Sequence, residues 1–324
     1  MEIVLNVTAI ICTLLTLAPH LPSSHWLVRM WEFPRLQITA LMLATLCGYL
    51  AYTLFAELSS VSLLLACTLV MSFIYQCMWI APYTPLYKKE VKQIPRENAH
   101  STLSILSSNV YMPNDDFDKL ISHVQNTSPD FLVTLESNEK WENGLKPLEN
   151  KYPYCKACPL DNLYGMHVYS KHKLTSATLH FLVENDVPSI EVKTTIDGKQ
   201  ITLWFVHPKP PSPTENTYAK PRDIELHIVG KAVNEVCGPV IVAGDLNDVA
   251  WSPTTRHFKK ISGLKDPRIG RGFFNTFHAH YPLVKWPLDH VFHSDHFELV
   301  QITRLGDIGS DHYPLFTELA LKSG

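Results

Sequence analysis

A carboxylate and a carboxamide, Asp245 and Asn247, stand two residues apart just after a short apolar run. That run, residues 240–243, has the length of a buried strand and is too short for a helix of its own. Alternate side chains of an extended segment share one face, so the two polar groups would point the same way. A carboxylate accepts a proton or holds a cation, and a carboxamide donates to oxygen without adding charge. The pair suits a polarised water beside an anion, although turn chemistry after Gly244 explains it more simply if it stands alone.

Acid, amide and imidazole side chains also end or follow other apolar, strand-like segments. These further residues are Asn109, Glu136, His207, Asp289, Asp311 and His312. A cap or a turn would explain any one of them. Because the same coincidence recurs along the chain, we expect these groups to collect with Asp245 and Asn247 in one polar site.

The strands that must position these groups are apolar runs bounded by turn residues. The predicted strands are residues 103–109, 130–136, 164–170, 189–196, 199–207, 240–243, 287–293, 297–303 and 313–319. Asp197-Gly198 lies between two of them and is a strong hairpin signal.

Two helices with an apolar face are predicted between these strands, and the polar segment after Glu136, up to about Asn150, is also predicted to be helical. Asn114 would cap the first helix, whose buried face would be Phe117, Leu120, Ile121 and Val124. One side of the second would consist of Ile224, Ile228, Ala232 and Val236. Helices and strands alternate early and hairpins follow, which favours stacked sheets with outer helices over a purely parallel sheet.

The first 86 residues hold three long apolar segments without charged side chains, at about 3–21, 36–56 and 58–80. Each is close to the ~20 residues that a helix needs to cross a ~30 Å hydrocarbon layer. A single such segment would be explained by a signal peptide or a core helix. Three in succession predict three transmembrane helices.

Basic residues predict the orientation of these helices. The first loop carries Arg29 and Arg35, and the segment after the third helix carries Lys88, Lys89, Lys92 and Arg96. Positive charge favours the cytoplasmic side, so the first loop and the C-terminal part are predicted to lie there. The protein would be a multi-pass protein of the cell inner membrane, with the lipid bilayer as one of its partners.

The charge balance argues against a nonspecific nucleic-acid binder. The 324-residue chain has a formal net charge of −3. After residue 86 it has 26 Lys and Arg against 28 Asp and Glu. A protein that grips DNA without sequence preference normally presents a basic face. Local clustering of cations could still provide one.

Two other groups of residues are not interpreted as sites. Cys155 and Cys158 have C-x-x-C spacing, but a zinc site needs four ligands, so they are interpreted as loop cysteines. With Cys237 they form an odd set after residue 86, which favours a reducing compartment. His290 and His293 would point to opposite faces of a strand, and surface or sheet-edge positions are expected for them.

The strand-end residues resemble the signatures of the endonuclease/exonuclease/phosphatase superfamily, which includes deoxyribonucleases, abasic-site endonucleases, inositol-polyphosphate phosphatases and neutral sphingomyelinases. The most specific matches are Gly244-Asp245-Leu246-Asn247 and Gly309-Ser310-Asp311-His312. The remaining matches are Ser108-Asn109, Leu135-Glu136, Tyr164-Gly165, Val206-His207 and Trp286-Pro287-Leu288-Asp289. Their order and spacing agree over residues 100–320. After Tyr164-Gly165, Met166 and His167 stand where the family usually has small residues.

The resemblance implies an α/β fold and a metal-dependent reaction. The fold would be a four-layer α/β sandwich of two mixed β-sheets flanked by helices, preceded here by three transmembrane helices. The domains would be a membrane domain at 1–86, a linker at 87–100 and a catalytic domain at 101–324. The chain would be a membrane-anchored, bacterial-type member that hydrolyses phosphoesters with Mg²⁺, or with Mn²⁺.

By the same resemblance, five of the residues would serve the metal, the attacking water and one phosphate oxygen. Glu136 would be the principal Mg²⁺ ligand, with Asn109 and Asp311 close to it, and oxygen ligands are what Mg²⁺ prefers. Asp245 would orient and deprotonate the water. Asn247 would hold a phosphate oxygen.

The other four residues would contact or serve the phosphate. His312 would act on it as a base or as a cation, with Asp289 orienting the imidazole ring. His207 would supply a second imidazole, and Tyr164 would donate a hydroxyl. A metal with fixed donors stabilises the charge that an in-line attack builds on oxygen.

The resulting prediction is a membrane-anchored phosphodiesterase or phosphomonoesterase, with an endonuclease as one form of it. Its substrate would be a phosphate ester of nucleic acid or of a lipid headgroup, and the sequence indicates no protein partner. One alternative is a phosphodiesterase specific for phospholipid or sphingolipid headgroups. Another is a non-catalytic membrane scaffold that binds a phosphorylated partner.

Overall fold

Apolar strands separated by turns follow three apolar helices, and the structure, a computed structural model, describes residues 1–322. The helices are α1 (Glu2–Leu17), α2 (Trp26–Arg29), α3 (Arg35–Tyr52), α4 (Ser60–Ile80), α5 (Phe117–Thr127), α6 (Glu139–Gly144), α7 (Lys220–Asn234) and α8 (Pro253–Ser262). The strands are β1 (Thr102–Asn109), β2 (Phe131–Leu135), β3 (Tyr154–Cys158), β4 (Met166–Ser170), β5 (Leu174–His180), β6 (Ser189–Ile196), β7 (Lys199–Phe205), β8 (Val240–Asp245), β9 (Asp289–His293), β10 (Phe297–Arg304) and β11 (Leu315–Leu321).

The strands form two mixed sheets packed face to face. One sheet has the order β10-β11-β1-β2-β4-β3 and the other β5-β6-β7-β8-β9. Within them, β1 pairs with β2 in parallel and β7 with β8 in parallel, whereas the remaining neighbours are antiparallel. An apolar core fills the space between the sheets. Helices α5 and α6 cover the outer face of one sheet, and α7 and α8 that of the other. This confirms the predicted α/β sandwich of two mixed sheets flanked by helices.

Two strands, β3 and β5, and two helices, α2 and α8, were missed by the sequence patterns. Strands β3 and β5 lie at sheet edges and are half-exposed along most of their length, so they lack a continuous apolar run. Helix α8 buries only three residues, Thr255, Phe258 and Ser262, two of which are polar. Strands β3 and β5 and helix α8 are therefore stabilised by tertiary packing, and their sequences lack the apolar periodicity by which such elements are predicted.

The N-terminal helices only partly match the predicted spans. Residues Glu2–His20 and Ser60–Tyr83 are each long and apolar enough to cross a membrane. The middle candidate passes the same test only when Trp26–Glu32 and Arg35–Tyr52 are joined, and these two segments meet at a bend of 66°. The predicted segment 36–56 is too long, because α3 ends at Tyr52. Three transmembrane helices therefore stay a prediction.

The end of the helical bundle that carries the first loop packs on the sandwich. Trp251, which is completely buried, donates its indole N–H to the carbonyl oxygen of Glu32 at 2.8 Å. Tyr83 donates its hydroxyl to the carbonyl oxygen of Ala250 at 2.6 Å. Apolar side chains surround these bonds, including Ile80, Val249, Ile269 and Leu288. The helices and the sandwich thus share a buried apolar contact.

The first loop itself also pairs with the sandwich. The Trp26 N–H donates to the Thr217 carbonyl at 2.9 Å, and the Ala219 N–H donates to the Ser24 carbonyl at 2.7 Å. The first loop and the sandwich therefore lie at the same end of the bundle.

The predicted linker is packed rather than free. Val91 is buried in the core between the sheets. The Ile94 N–H donates to the Leu299 carbonyl, and the Leu299 N–H donates to the Lys92 carbonyl, each at 2.9 Å. The polar composition of residues 87–100 concealed this added pairing along β10.

The buried face of α7 was predicted wrongly. Its buried apolar residues are Leu226, Val229 and Val233, whereas Ile224 is 39% exposed. The same face buries two charged side chains, Arg222 and Glu225. Arg222 reaches Asp248 at 3.2 Å, and Glu225 accepts a hydrogen bond from Ser189 at 2.7 Å. The prediction from apolar residues assumed that charged residues are exposed. The predicted face was therefore displaced around the helix from the face that is buried.

The start of α5 also differs from the prediction. The residue before its first turn is Asp116, not Asn114. The Asn114 side-chain oxygen instead accepts a hydrogen bond from the Asp116 N–H at 3.0 Å, and its amide group donates to the Ile308 carbonyl at 2.9 Å. Asn114 therefore orders the loop before the helix. The predicted face of α5 is confirmed for Leu120, Ile121 and Val124.

Glu225 makes the stability of the sandwich depend on pH. Burial raises the pKa of this carboxyl from 4.5 to about 7, against the opposing effect of the Ser189 hydrogen bond. The unfolded chain releases this proton more readily. The contribution of Glu225 to the free energy of unfolding is therefore greatest below pH 4.5 and falls as pH rises to about 7. We expect Glu225→Gln to raise the free energy of unfolding above pH 7 by up to ~3 kcal/mol, with no gain near pH 4.

Thermal unfolding of the detergent-solubilised protein at pH 4.5 and pH 8 would measure this difference. The matched control is Glu235→Gln, which changes an exposed carboxylate at the C-terminal end of the same helix. A variant that is equally stabilised at both pH values would contradict the assignment to ionisation of Glu225.

Candidate active site

The ends of central strands from both sheets meet, and their polar residues come together there. Asn109 ends β1, and its amide nitrogen donates to Glu136 Oε1 at 2.8 Å just after β2. The same nitrogen lies 3.2 Å from Asp245 Oδ2 at the end of β8 in the other sheet. Asp245 is in register with Asp289, the first residue of β9. The predicted gathering of strand-end groups therefore occurs, with Asn109 bridging the two sheets.

Backbone conformation at this edge is unusual at two residues. Glu136 and Asn247 have φ values of +58° and +49°. This left-handed region is uncommon for residues other than glycine, and because asparagine adopts it more readily, Glu136 is the clearer outlier. Outliers of this kind concentrate at functional sites, where the surroundings hold them in place.

A glycine allows the second sheet to close around the site. A Cβ on Gly244 would lie 2.0 Å from the Val206 carbonyl oxygen, and its φ is +142°. Only glycine therefore fits at this close approach. It places Asp245 beside His207, the residue after Val206, with His207 Nε2 3.7 Å from Asp245 Oδ2.

His312 lies between two buried carboxylates. Its Nδ1 is 2.8 Å from Asp289 Oδ2, and its Nε2 is 3.5 Å from Asp245 Oδ2. Burial alone would lower the pKa of His312, but Asp289 and Asp245 outweigh burial and raise this pKa to about 10. Burial would raise the pKa of Asp289, yet the His312 charge holds it below its usual value. The pair is therefore an ionised imidazolium–carboxylate at neutral pH.

Asp245 and Glu136 are carboxyl groups that ionise with difficulty. Burial raises the pKa of Asp245 to about 7. The His312 charge opposes this rise, and the Asp289 charge adds to it. The Asn247 backbone N–H donates to Asp245 Oδ1 at 2.8 Å and fixes the carboxyl group. Burial raises the pKa of Glu136 to about 8, and the nearby Asp311 and Asp245 carboxylates contribute to the rise.

His207 and Tyr164 form the opposite wall. Their rings are 5.1 Å apart. Burial and the neighbouring His312 charge lower the pKa of His207 to about 3, so its ring is neutral. Its Nδ1 is buried and has no hydrogen-bond partner among the described residues. The Tyr164 hydroxyl donates to the Glu215 carboxylate.

Three residues at the site were not assigned a role from the sequence. Ser310 donates its hydroxyl to the Asn109 carbonyl at 2.8 Å and accepts from the His312 N–H at 3.0 Å. Arg268 is completely buried and donates to the Asp289 carbonyl at 3.1 Å. Lys209 lies 5.3 Å from the Tyr164 ring centre. Ser310 stands inside a matched signature, whereas no local pattern marks Arg268 or Lys209.

The histidines of β9 lie on an edge strand of their sheet, as one of the two expected positions required, but they are not exposed at the surface. His290 and His293 are completely buried. His290 Nδ1 is 2.6 Å from an Arg268 nitrogen, and its Nε2 is 2.9 Å from the Asp248 carbonyl. These partners satisfy both ring nitrogens, which makes burial tolerable. His290 thus supports the strand that carries Asp289.

Two sets of residues at this edge could supply metal ligands. Ligand atoms of Asp245, Asp289 and His312 lie within 4.8 Å of one another. However, the charged His312 already holds Asp289, and an imidazolium nitrogen cannot bind a metal. In the predicted set of Glu136, Asn109 and Asp311, the two carboxylates offer oxygen atoms, whereas Asn109 turns its nitrogen to Glu136 and its oxygen accepts from the Tyr111 N–H at 3.1 Å. In that set, one oxygen of Glu136 binds Asn109, which leaves the other oxygen available.

The Glu136 set fits a hard divalent cation better. Burial raises the pKa of Glu136, and repulsion by the neighbouring Asp311 and Asp245 carboxylates adds to the rise. A cation would remove this penalty, and few carboxylates with open positions are what Mg²⁺ requires. Asp311 is half-buried, and its backbone carbonyl accepts from the Ala279 N–H at 2.6 Å, which fixes the main chain next to His312.

Comparison with known proteins identifies similar sequences and folds. A model described as "Endonuclease/Exonuclease/phosphatase family" matches residues 106–312. No curated protein matches the chain.

Solved structures with the same fold share little sequence with it. D. rerio TDP2 complexed with single strand DNA product has a TM-score of 0.58 at 18% identity, covering 68% of this chain and 99% of that chain. The human Nocturnin catalytic domain with bound sulfate anion has a TM-score of 0.58 at 14% identity, covering 72% and 97%. An endonuclease/exonuclease/phosphatase from Beutenbergia cavernae DSM 12333 has a TM-score of 0.56 at 17% identity, covering 69% and 72%.

Proposed function

The chain belongs to the Endonuclease/Exonuclease/phosphatase family, and from this premise we propose that it is a membrane-anchored, divalent-metal-dependent phosphodiesterase. Members of this family are typically metal-dependent phosphoesterases or nucleases. The observation that carries the proposal is the meeting of Asn109, Glu136 and Asp245 beside the His312–Asp289 pair. Mg²⁺ is the proposed metal, with Mn²⁺ as an alternative.

Asp245 is the proposed general base. A pKa of about 7 suits a base that must take a proton from water near neutral pH. The Asn247 N–H holds one of its oxygens, so the other is oriented toward the site. One N–H of the Asn247 side chain donates to the Pro208 carbonyl at 3.0 Å, and the second would hold a phosphate oxygen.

His312 is the proposed cationic stabiliser. Because Asp289 and Asp245 keep it protonated, it would donate to a phosphate oxygen rather than act as the base. Neutral His207 would add an uncharged donor on the opposite wall, and the Tyr164 hydroxyl would add another by exchanging its bond to Glu215 for one to the phosphate. Glu136, Asn109 and Asp311 would hold the metal, which when bound would stabilise negative charge developing on phosphate oxygens.

The substrate is proposed to be a phosphodiester, and two classes have support. Nucleic acid is supported by the family and by the DNA product bound to D. rerio TDP2. A lipid headgroup is supported by a loop next to the site. In that loop the Ala279 N–H donates to the Asp311 carbonyl, while the Leu283 carbonyl accepts from Gln37 of α3 at 2.8 Å. This loop links the metal side of the site to a proposed membrane helix.

A scaffold that binds a phosphorylated partner without catalysis has less support. Such a protein would be expected to lack at least one group needed for chemistry. Every predicted strand-end carboxylate and imidazole is present and lies at the site, which favours the enzyme.

Membrane anchoring is proposed from the apolar helices α1 and α4. The first loop and the sandwich lie at one end of the bundle, and the basic residues of that loop favour the cytoplasmic side. A cytoplasmic catalytic domain on the inner membrane follows from this proposal.

Metal removal tests the proposed chemistry. The full-length protein in detergent would be assayed with bis-p-nitrophenyl phosphate, plasmid DNA and mixed lipid vesicles. We expect hydrolysis with Mg²⁺, its loss on chelation with EDTA, and its return when Mg²⁺ or Mn²⁺ is added in excess. Hydrolysis that persists after chelation and dialysis would contradict a metal-dependent enzyme, and the relative rates would identify the substrate class.

A further inference from the structure

A basic cavity lies where α4 ends against α8, and none of the proposed catalytic residues lines it. Its volume is about 620 Å³. Its walls come from the last turn of α4, the segment that follows and α8, and include Trp79, Tyr83, Arg256 and Ile269. The cavity therefore belongs to both the helical bundle and the sandwich.

The cavity is positive although the chain as a whole is negative. Five cations, Lys88, Lys89, Arg256, Lys259 and Lys260, line it against one carboxylate, that of Glu90. The chain has a formal net charge of −3. Such a local excess of one sign concentrates ligands of the opposite sign.

Most of this positive charge is not used within the protein. Glu90 binds Lys259 at 2.7 Å and also accepts from the Asp266 N–H at 2.9 Å. Lys88, Lys89 and Lys260 are exposed and form no ion pair with any residue between 1 and 322. Lys260 also lies in the last turn of α8, where a cation is favourable, whereas Lys88 and Lys89 lie outside any helix.

The rim of the cavity has the composition of a membrane interface. Arg256 lies 4.3 Å from the Trp79 ring centre, and Arg35 lies 4.8 Å from it. Leu86 is 98% exposed and Tyr87 is half-exposed, directly before the two lysines. Aromatic rings and basic side chains next to an exposed apolar residue are typical of the boundary between hydrocarbon and headgroups.

The cavity also lies at the end of a candidate membrane span. The apolar segment Ser60–Tyr83 supplies its lower wall through Trp79 and Tyr83, and the lysines follow that segment in sequence. If the segment spans the bilayer, the cavity opens at the headgroup layer on the side of the sandwich.

We propose that this cavity binds the phosphate of an anionic phospholipid headgroup in the leaflet next to the catalytic domain. The inference rests on the proposed membrane anchoring and not on the proposed hydrolysis. A nucleic-acid backbone fits the cavity less well, because one wall of the cavity belongs to a candidate membrane span and the exposed apolar side chain of Leu86 lies beside its lysines. Bound lipid would fix the sandwich against the surface, since the ligands come from α8 as well as from the end of α4.

Native mass spectrometry of the full-length protein in detergent tests the proposal, with added phosphatidylglycerol or phosphatidylcholine as the probe. The test variant is Lys88→Gln/Lys89→Gln/Lys260→Gln. The matched control is Lys146→Gln/Lys151→Gln/Lys173→Gln, which removes three exposed lysines on the sandwich that form no ion pair with a described residue. Wild type and control should retain phosphatidylglycerol in preference to phosphatidylcholine.

The test variant should bind phosphatidylglycerol on the order of 10- to 100-fold more weakly, since each lysine near an anionic surface contributes about five-fold. Its hydrolysis of bis-p-nitrophenyl phosphate should equal that of the wild type, so a failure of the lipid site is distinguished from a failure of the enzyme. Equal retention of both lipids by the wild type, or an unchanged affinity in the test variant, would overturn the proposal. So would a variant that loses binding to a short DNA duplex while keeping phosphatidylglycerol, because the cavity would then serve nucleic acid.

Discussion

Asp245→Asn is expected to lower kcat for bis-p-nitrophenyl phosphate by roughly 10²- to 10⁴-fold, the usual contribution of a general base. An amide has nearly the shape of the carboxyl group but cannot take a proton from water. The Asn247 N–H that now donates to Asp245 Oδ1 at 2.8 Å would still find an oxygen acceptor. The effect should therefore fall on kcat far more than on KM.

Folding of the Asp245→Asn variant should be preserved. Burial already disfavours the charged form of this residue and raises its pKa to about 7, so losing the charge costs little, but the new amide nitrogen would face the Asn109 nitrogen, now 3.2 Å from Oδ2, and a modest loss of stability is expected. Circular dichroism and thermal unfolding would check this alongside the rate. Asp118→Asn, at an exposed position on α5, is the matched control and should keep wild-type activity. Activity within a few-fold of wild type in Asp245→Asn would remove this residue from the proposed chemistry.

His312→Ala is expected to lower the rate to a similar degree, because it removes the cation proposed to stabilise the phosphate in the transition state. It should also disconnect Asp289, whose Oδ2 lies 2.8 Å from His312 Nδ1. The two residues act as a unit, so Asp289→Asn should cost little further activity in the His312→Ala background. A double-mutant cycle on kcat measures this coupling.

The control for this cycle is His100→Ala, which removes an exposed imidazole outside the site. Additive losses from His312→Ala and Asp289→Asn would mean that Asp289 contributes independently and does not act through the imidazole. A folded His312→Ala variant with full activity would exclude His312 as the stabiliser.

The strand ends of the site could be predicted because their signals are local. Asn109, Glu136 and Asp245 each end or follow an apolar strand that is buried in the sandwich. A buried strand can be recognised in the sequence by its run of apolar residues. Residues at the ends of neighbouring parallel strands meet without further information. The hairpin at Asp197-Gly198 was also predicted from a local signal, because Asp-Gly readily adopts the positive φ that such a turn needs. Both residues have a positive φ in the structure.

The remaining parts depended on partners that are distant in the chain. Arg222 is buried because it pairs with Asp248, and Glu225 is buried because it accepts a hydrogen bond from Ser189. The sequence near α7 contains no signal that predicts these partners. His290 is buried because Arg268 and the Asp248 carbonyl bind its ring. Buried polar groups of this kind follow from tertiary pairing, whereas apolar periodicity reports only the residues that need no partner.

The contact between the helices and the sandwich has a consequence for how the catalytic part can be handled. A fragment that begins after residue 86 would lose Tyr83 and Ile80 from the face that Trp251 and Leu288 help to form. It would also leave the Trp251 indole N–H without the Glu32 carbonyl. The uncovered apolar area would favour self-association in water. The part of the chain after residue 86 is therefore best purified together with the N-terminal helices, in detergent or lipid, rather than as an isolated enzyme.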